Sequence, residues 1–287
     1  MIVPDGARIA YDTFGRSDGE PLLLLQGLGA DGRGWIRQRR AMGESYRCIA
    51  VDNRGVGRSD VPEGPYDLEV MAADAVAVLD DLGVDSAHVM GASMGGIMSQ
   101  ILGVRHQERV RSLTLACTGC HHLQWRRDLL AEWGDLARTK GMRAVVDEAS
   151  HWLVGPRARV RFWPVIGWLG PLALQVKAEA FAAQIGAILA LDDHLRFELE
   201  QVKVPTLVIV GSQDILTPIG DSELIHELIP DSELVIVTGA AHGFMVEHAG
   251  SFNRGVRGFL DRVTADDPAP DPDPADHPDP ADLPDPA

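Results

Sequence analysis

Gly91-Ala92-Ser93-Met94-Gly95 follows an apolar run, Ala87-His88-Val89-Met90, and opens a helix-patterned run from Met94 to Val104. A serine hydroxyl becomes a useful nucleophile only when a base takes its proton, so it must stand clear on a sharp strand-to-helix turn. Two glycines, each two residues from Ser93, permit such a turn. Met94, Ile97, Met98, Ile101 and Leu102 repeat at helical spacing and give the following segment one apolar face.

A base and its orienting acid are found further along. The β-branched run Val204 to Gly211 ends in Ser212-Gln213-Asp214, which puts Asp214 just past a buried strand. Glu233 to Val237 is a second strand, and Thr238 to Gly243 after it carries His242 between small residues. Parallel strands share one C-terminal edge, so Ser93, Asp214 and His242 are expected to meet there as nucleophile, acid and base. Asp214 could instead cap the helix expected near Ile219. The acid position after the preceding strand is occupied by Thr118. His88, His106, His226 and His248 read as surface or capped residues.

An acyl-transfer site also needs backbone donors for a tetrahedral oxyanion. Pro21 to Leu25 is a buried strand running into Gln26-Gly27-Leu28-Gly29, and the N–H groups of Leu28 and Met94 are the expected donors.

These segments together resemble the α/β-hydrolase superfamily in its lidded subgroup. The resemblance rests on Gln26 to Gly29, Asp52-Asn53-Arg54-Gly55-Val56-Gly57-Arg58-Ser59, Ser93 to Gly96, Asp214, and Gly239 to His242. It runs from about Ala7 to Val263, apart from the middle. It implies an α/β fold: a mostly parallel, helix-flanked sheet with a helical cap inserted after the strand that follows the nucleophile helix. Gln26 departs from the histidine that many relatives carry before the glycine. Asp52, Arg54 and Ser59 look like loop-stabilising residues. Asp52 to Ser59, Ser93 to Gly96 and Arg109 to Leu113 look most like the 3-oxoadipate enol-lactonases and their carboxylesterase relatives.

The rest of the chain fits this frame. An opening hairpin pairs Ile2-Val3 with a strand from Ala7 to Phe14 across Pro4-Asp5-Gly6. Strands and helices then alternate through Leu22–Leu25, Cys48–Val51, an amphipathic helix from Leu68 to Leu82, and Val110–Ala116. Residues 1–117 and 191–263 are read as the core and 118–190 as the cap. Five of the six tryptophans fall in that cap, and Trp125, Trp133, Trp152 and Trp163 are candidates for the substrate pocket, with Trp168 beside them. Between Gly119 and Val176, eight lysines and arginines stand against five acidic residues, in a chain whose net charge is −16. A cationic lid would suit a substrate bearing a carboxylate.

Residues 264–287 hold eight aspartates, eight prolines and no lysine or arginine, a composition that cannot bury a core and reads as disordered. The acidity argues against nucleic acid as a partner. Cys117-Thr118-Gly119-Cys120-His121 matches a haem-attachment spacing, but it spans a strand end and the cap entry, so neither haem nor zinc is expected. No metal or other cofactor is called for. Unbridged cysteines and the lack of a signal-like or membrane-length segment suggest a cytoplasmic protein. The expected activity is hydrolysis of an ester or lactone through an acyl-enzyme, the substrate small, hydrophobic and in one version carboxylated. A cofactor-free haloperoxidase or perhydrolase, a carbon–carbon bond hydrolase and a small-molecule receptor on the same fold remain as alternatives.

Overall fold

A computed structural model describes residues 1–155, 176–191 and 194–266 of the chain. Seven strands form one sheet: β1 (Ala10–Gly15), β2 (Glu20–Leu25), β3 (Tyr46–Asp52), β4 (Ala87–Ala92), β5 (Val110–Ala116), β6 (Thr206–Gly211) and β7 (Ser232–Val237). Their spatial order is β1-β3-β2-β4-β5-β6-β7. Only β1 runs antiparallel, against β3. Leu22 to Leu25, all of β4 and all of β6 are buried, which is why these strands read as apolar runs interrupted only by His88 and Thr206, with helices on both faces.

The helices covering the sheet include α1 (Arg39–Gly43), α2 (Leu68–Asp81) and α3 (Met94–Arg105). Asp67 caps α2 by accepting from Glu69 N at 2.7 Å, and Met71, Ala75, Val78 and Leu79 form its buried face. The segment expected to form the cap, and called the cap below, holds α4 (Gln124–Lys140), α5 (Met142–Leu153) and α6 (Ala178–Ala190), followed by α7 (His194–Glu198). The chain then returns to the sheet through α8 (Ile219–Leu228), α9 (Phe244–Glu247) and α10 (Ala249–Asp266). One core packs α2, α3 and the cap on one face. The other gathers Trp35, Met42, Phe244, Phe252 and Phe259.

Chain order reverses across β2. The chain leaves β2 for β3 on one side, then crosses to β4 on the other, so the loops after β2 and β4 flank the crevice where ligands bind in open α/β sheets. Leu25 pairs with Gly91 across that boundary. Leu28 and Met94 therefore each lie three residues past a matched strand position.

The opening hairpin is reduced to a single bridge, Ile2 with Arg8, and the strand begins only at Ala10. The backbone N–H of Arg8 donates to Asp60 and that of Ala10 to Ser59 Oγ, so side chains of the loop after β3 replace a ladder. His88 lies in the interior, with Nδ1 2.8 Å from Ser112 Oγ and Nε2 2.8 Å from Glu20. The last helix continues through Asp266, past the expected tail boundary; most of that tail lies outside the described residues. Among the described residues no helix is long and apolar enough to cross a membrane.

Candidate active site

Ser93 occupies the junction of β4 and α3 with φ 52° and ψ −117°. Holding a non-glycine residue there costs about 1–3 kcal/mol, which the surrounding packing must offset. The two flanking glycines make it feasible: a methyl group on Gly95 would overlap the Leu25 carbonyl, and one on Gly91 the Gly95 carbonyl and Ser99 hydroxyl. Ser93 N donates to Ala116 O at 2.9 Å, and its carbonyl accepts from Gly96, Ile97 and Thr118 Oγ1. Ser93 is the N-cap residue of α3, yet its hydroxyl caps nothing. The backbone carries the turn and leaves Oγ available.

His242 and Asp214 come from the loops after β7 and β6. Gly211 fits there because a side chain would strike the Ala240 carbonyl, so the two loops touch through backbone. His242 Nδ1 lies 2.8 Å from Asp214 Oδ2. With that nitrogen facing the carboxylate, Nε2 is the one left for chemistry. Asp214 does not cap α8, whose N-cap is Pro218. Its Oδ1 accepts from Leu216 N and Thr217 N, both at 2.9 Å, and its Oδ2 also accepts from Thr217 Oγ1 at 2.8 Å. Burial alone would push the Asp214 carboxyl up; the His242 ring and the Thr217 donors outweigh it and hold the pKa below the usual carboxylate value.

Ser93 and His242 line one cavity of about 430 Å³, together with Leu28, Met94 and Thr217. A methyl group on Gly27 would sit 3.1 Å from Ser93 Cβ, so the turn after β2 lies against the candidate nucleophile. Gln26 Oε1 accepts from Gly27 N at 3.1 Å, a side-chain bond within that turn. Asp52, Arg54 and Ser59 hold the neighbouring loop: Asp52 accepts from Gly32 N and Arg58 N, Arg54 donates to Asp74 through Nε and Nη2, and Ser59 donates to Asp52 O.

Apolar cap side chains, among them Leu130, Val145, Val146, Phe181 and Ile188, form much of the cavity wall. Of the candidate pocket tryptophans, Trp133 lines the cavity. Trp125 and Trp152 do not: their rings stack on each other, centroids 5.9 Å apart, and Trp125 is 39% exposed. Each thus satisfies its apolar face with the other rather than with a ligand. Trp163 and Trp168 lie outside the described residues. Of the cap cations, Arg126 pairs with Asp221, Arg127 donates to Leu189 O, and Arg138 pairs with Asp135, while Arg157, Arg159 and Arg161 lie outside the described residues.

Two positions escaped the sequence reading. Gln184, fully buried on α6, accepts from Gly29 N at 2.9 Å and donates to Arg54 O at 3.0 Å, joining the cap to both loops beneath it. Its signal is a lone amide within the apolar run Ala180 to Ala190. Thr217 is the other, three residues after Asp214. The cap is also anchored at its far end, where Gly243 N donates to Leu153 O at 2.7 Å and Gly155 N to Glu247.

The family signal agrees with this geometry. A sequence model described as alpha/beta hydrolase fold matches residues 20–144. The chain is 33% identical over 273 residues to RutD of Azorhizobium caulinodans, named for carbamate hydrolysis, with 90% of this chain and 96% of that one covered. The chain belongs to the α/β-hydrolase superfamily. This α/β-hydrolase is also 29% identical to 3-oxoadipate enol-lactonase 2 of Acinetobacter baylyi, across 88% of its own length and 92% of the relative's. The enol-lactonase structure from Burkholderia xenovorans superposes with a TM-score of 0.83 at 28% identity, covering 89% of this chain and 97% of that chain. Such relatives make the protein a hydrolytic enzyme, and the cavity holding Ser93 and His242 is its candidate active site.

Proposed function

We propose that this α/β-hydrolase cleaves an ester or lactone of a small hydrophobic acid, with Ser93 as nucleophile, His242 as general base and Asp214 as the residue that orients the ring. The observation that carries the reading is an uncapped serine hydroxyl on a strained turn, sharing a cavity with a histidine whose other nitrogen is held by a buried carboxylate. His242 Nε2 takes the Ser93 proton as Oγ bonds to the carbonyl carbon. The oxyanion that forms accepts from the N–H groups of Leu28 and Met94, whose matched positions beyond β2 and β4 place both loops at the cavity. Collapse breaks the bond to the leaving alkoxide, which takes the proton from His242. Water, activated by the same ring, then releases the acid and restores Ser93.

Related names support the bond type. One relative is an enol-lactonase by name, and a structure 27% identical, with a TM-score of 0.75, is titled as an enzyme degrading N-acyl homoserine lactones. The apolar cap wall favours a hydrophobic acyl chain. The test is turnover of p-nitrophenyl acetate by wild type and Ser93→Ala. Loss of about a thousandfold or more in kcat/KM, with a fluorophosphonate adduct mapped to Ser93, is expected. Equal rates, or an adduct elsewhere, would sink the reading.

A further inference from the structure

Arg126 stands on the first turn of α4 and lines the cavity with Ser93, while being only 2% exposed. It is the one fixed charge among the described residues that form the cavity wall. That charge is already matched. Its Nη2 donates to Asp221 Oδ2, and its Nη1 to His121 O at 3.1 Å. Asp221 lies on the first turn of α8, 3% exposed, so the pair crosses from cap to core away from water.

A carboxylate entering this cavity would find its cation occupied. It would also meet the fields of Asp221 and of Asp214, behind His242, in a low-dielectric wall where like charges repel strongly. The net charge of −16 on the whole chain adds a long-range term of the same sign. Trp133, seven positions further along α4 and hence on the same side of it, lines the cavity without adding a charge.

We propose that Asp221 is a specificity determinant: by neutralising Arg126 it makes the cavity select uncharged esters or lactones over substrates that carry a carboxylate. This rests on the Ser93 reading and departs from the cationic lid that the cap composition suggests. Asp221 acts through Arg126 rather than on the reacting atoms, so removing its charge changes which substrates are accepted.

The test uses ethyl hexanoate, diethyl adipate and monoethyl adipate, followed by pH-stat, with rates normalised to sites titrated by a fluorophosphonate. Wild type is expected to hydrolyse one ester of diethyl adipate and stall at the monoester, whose kcat/KM falls about tenfold or more below that of the diester. Asp221→Asn frees Arg126, and the monoester-to-diester ratio is expected to rise about tenfold. The paired replacement Arg126→Leu with Asp221→Leu, which leaves no buried charge unmatched, is expected to keep the wild-type ratio and so guards against an unfolded single variant. Three results would overturn the proposal: wild type running on to the diacid at an undiminished rate, a titratable Asp221→Asn with an unchanged ratio, or a paired variant that gains the monoester. A Ser93→Ala protein that keeps full turnover would instead defeat the underlying Ser93 reading, whatever the ratios.

Discussion

Thr217 Oγ1 donates to Asp214 Oδ2 at 2.8 Å, the same oxygen that faces His242 Nδ1 at 2.8 Å. The hydroxyl itself stands 3.2 Å from that nitrogen. Thr217 therefore helps hold the carboxylate in the orientation that faces the ring. Thr217→Val leaves Asp214 Oδ2 without its hydroxyl donor and should lower kcat/KM about tenfold. Thr217→Ser, which keeps the hydroxyl, should restore most of the rate. An equal loss in both variants would mean that the hydroxyl contributes nothing and that only the side-chain volume matters.

Gln184 offers a second handle, this time on the cap. Gln184→Leu strands the Gly29 N–H and the Arg54 carbonyl in a buried position, which should cost about 1–3 kcal/mol in a denaturant titration. Because Gly29 follows the proposed Leu28 donor directly, kcat should fall as well. Unchanged kcat with lowered stability would confine Gln184 to a packing role.

The sign of the acid response follows from Asp214. Its folded-state pKa lies below the usual value of 3.8, so the ionised carboxylate favours the folded chain. That stabilisation is present above the unfolded value and is lost as pH falls through the lower, folded one. Wild type should exceed Asp214→Asn in unfolding free energy at neutral pH, and the gap should close on acidification below about pH 4. A gap that widens in acid would contradict the assignment. At neutral pH the same variant should lose about ten-thousandfold in kcat/KM, as expected when the ring is no longer oriented.

The three cysteines are buried. Burial pushes the Cys48 thiol up to about 12, and burial with the nearby Asp214 charge also disfavours the Cys117 thiolate. Ellman's reagent at neutral pH should therefore label essentially none of the thiols in the folded enzyme and all of them after denaturation. Rapid native labelling would mean that the strand ends open far more often than their packing implies.

Much of this architecture was legible because short-range constraints coincide with long-range ones. Val110–Ala116 matches β5 residue for residue, since its buried positions are either apolar (Val110, Leu113, Leu115, Ala116) or carry a small hydroxyl (Ser112, Thr114), with only Arg111 partly exposed. The neighbourhood of Ser93, Asp214 and His242 was legible because each lies a few residues past a parallel strand of one sheet, where topology brings such loops to a common edge. Trp125 and Trp152 misled because an indole can bury itself against another indole as well as against a ligand, and composition does not distinguish the two. The charge of Arg126 misled for a similar reason: its partner, Asp221, lies 95 residues away, beyond any window over which local charge is counted.

The bond from Gly243 N to Leu153 O, with the contact of Gly155 N to Glu247, bears on how this enzyme could be re-engineered. Both ends of the stitch involve the segment that carries His242. A lid graft spliced ahead of Leu153 would replace one half of the stitch and disturb the His242 segment along with the cavity wall. A graft joined after Gly155 would keep the seam intact, so that the sequence beyond it could be exchanged while the His242 segment stays tied down.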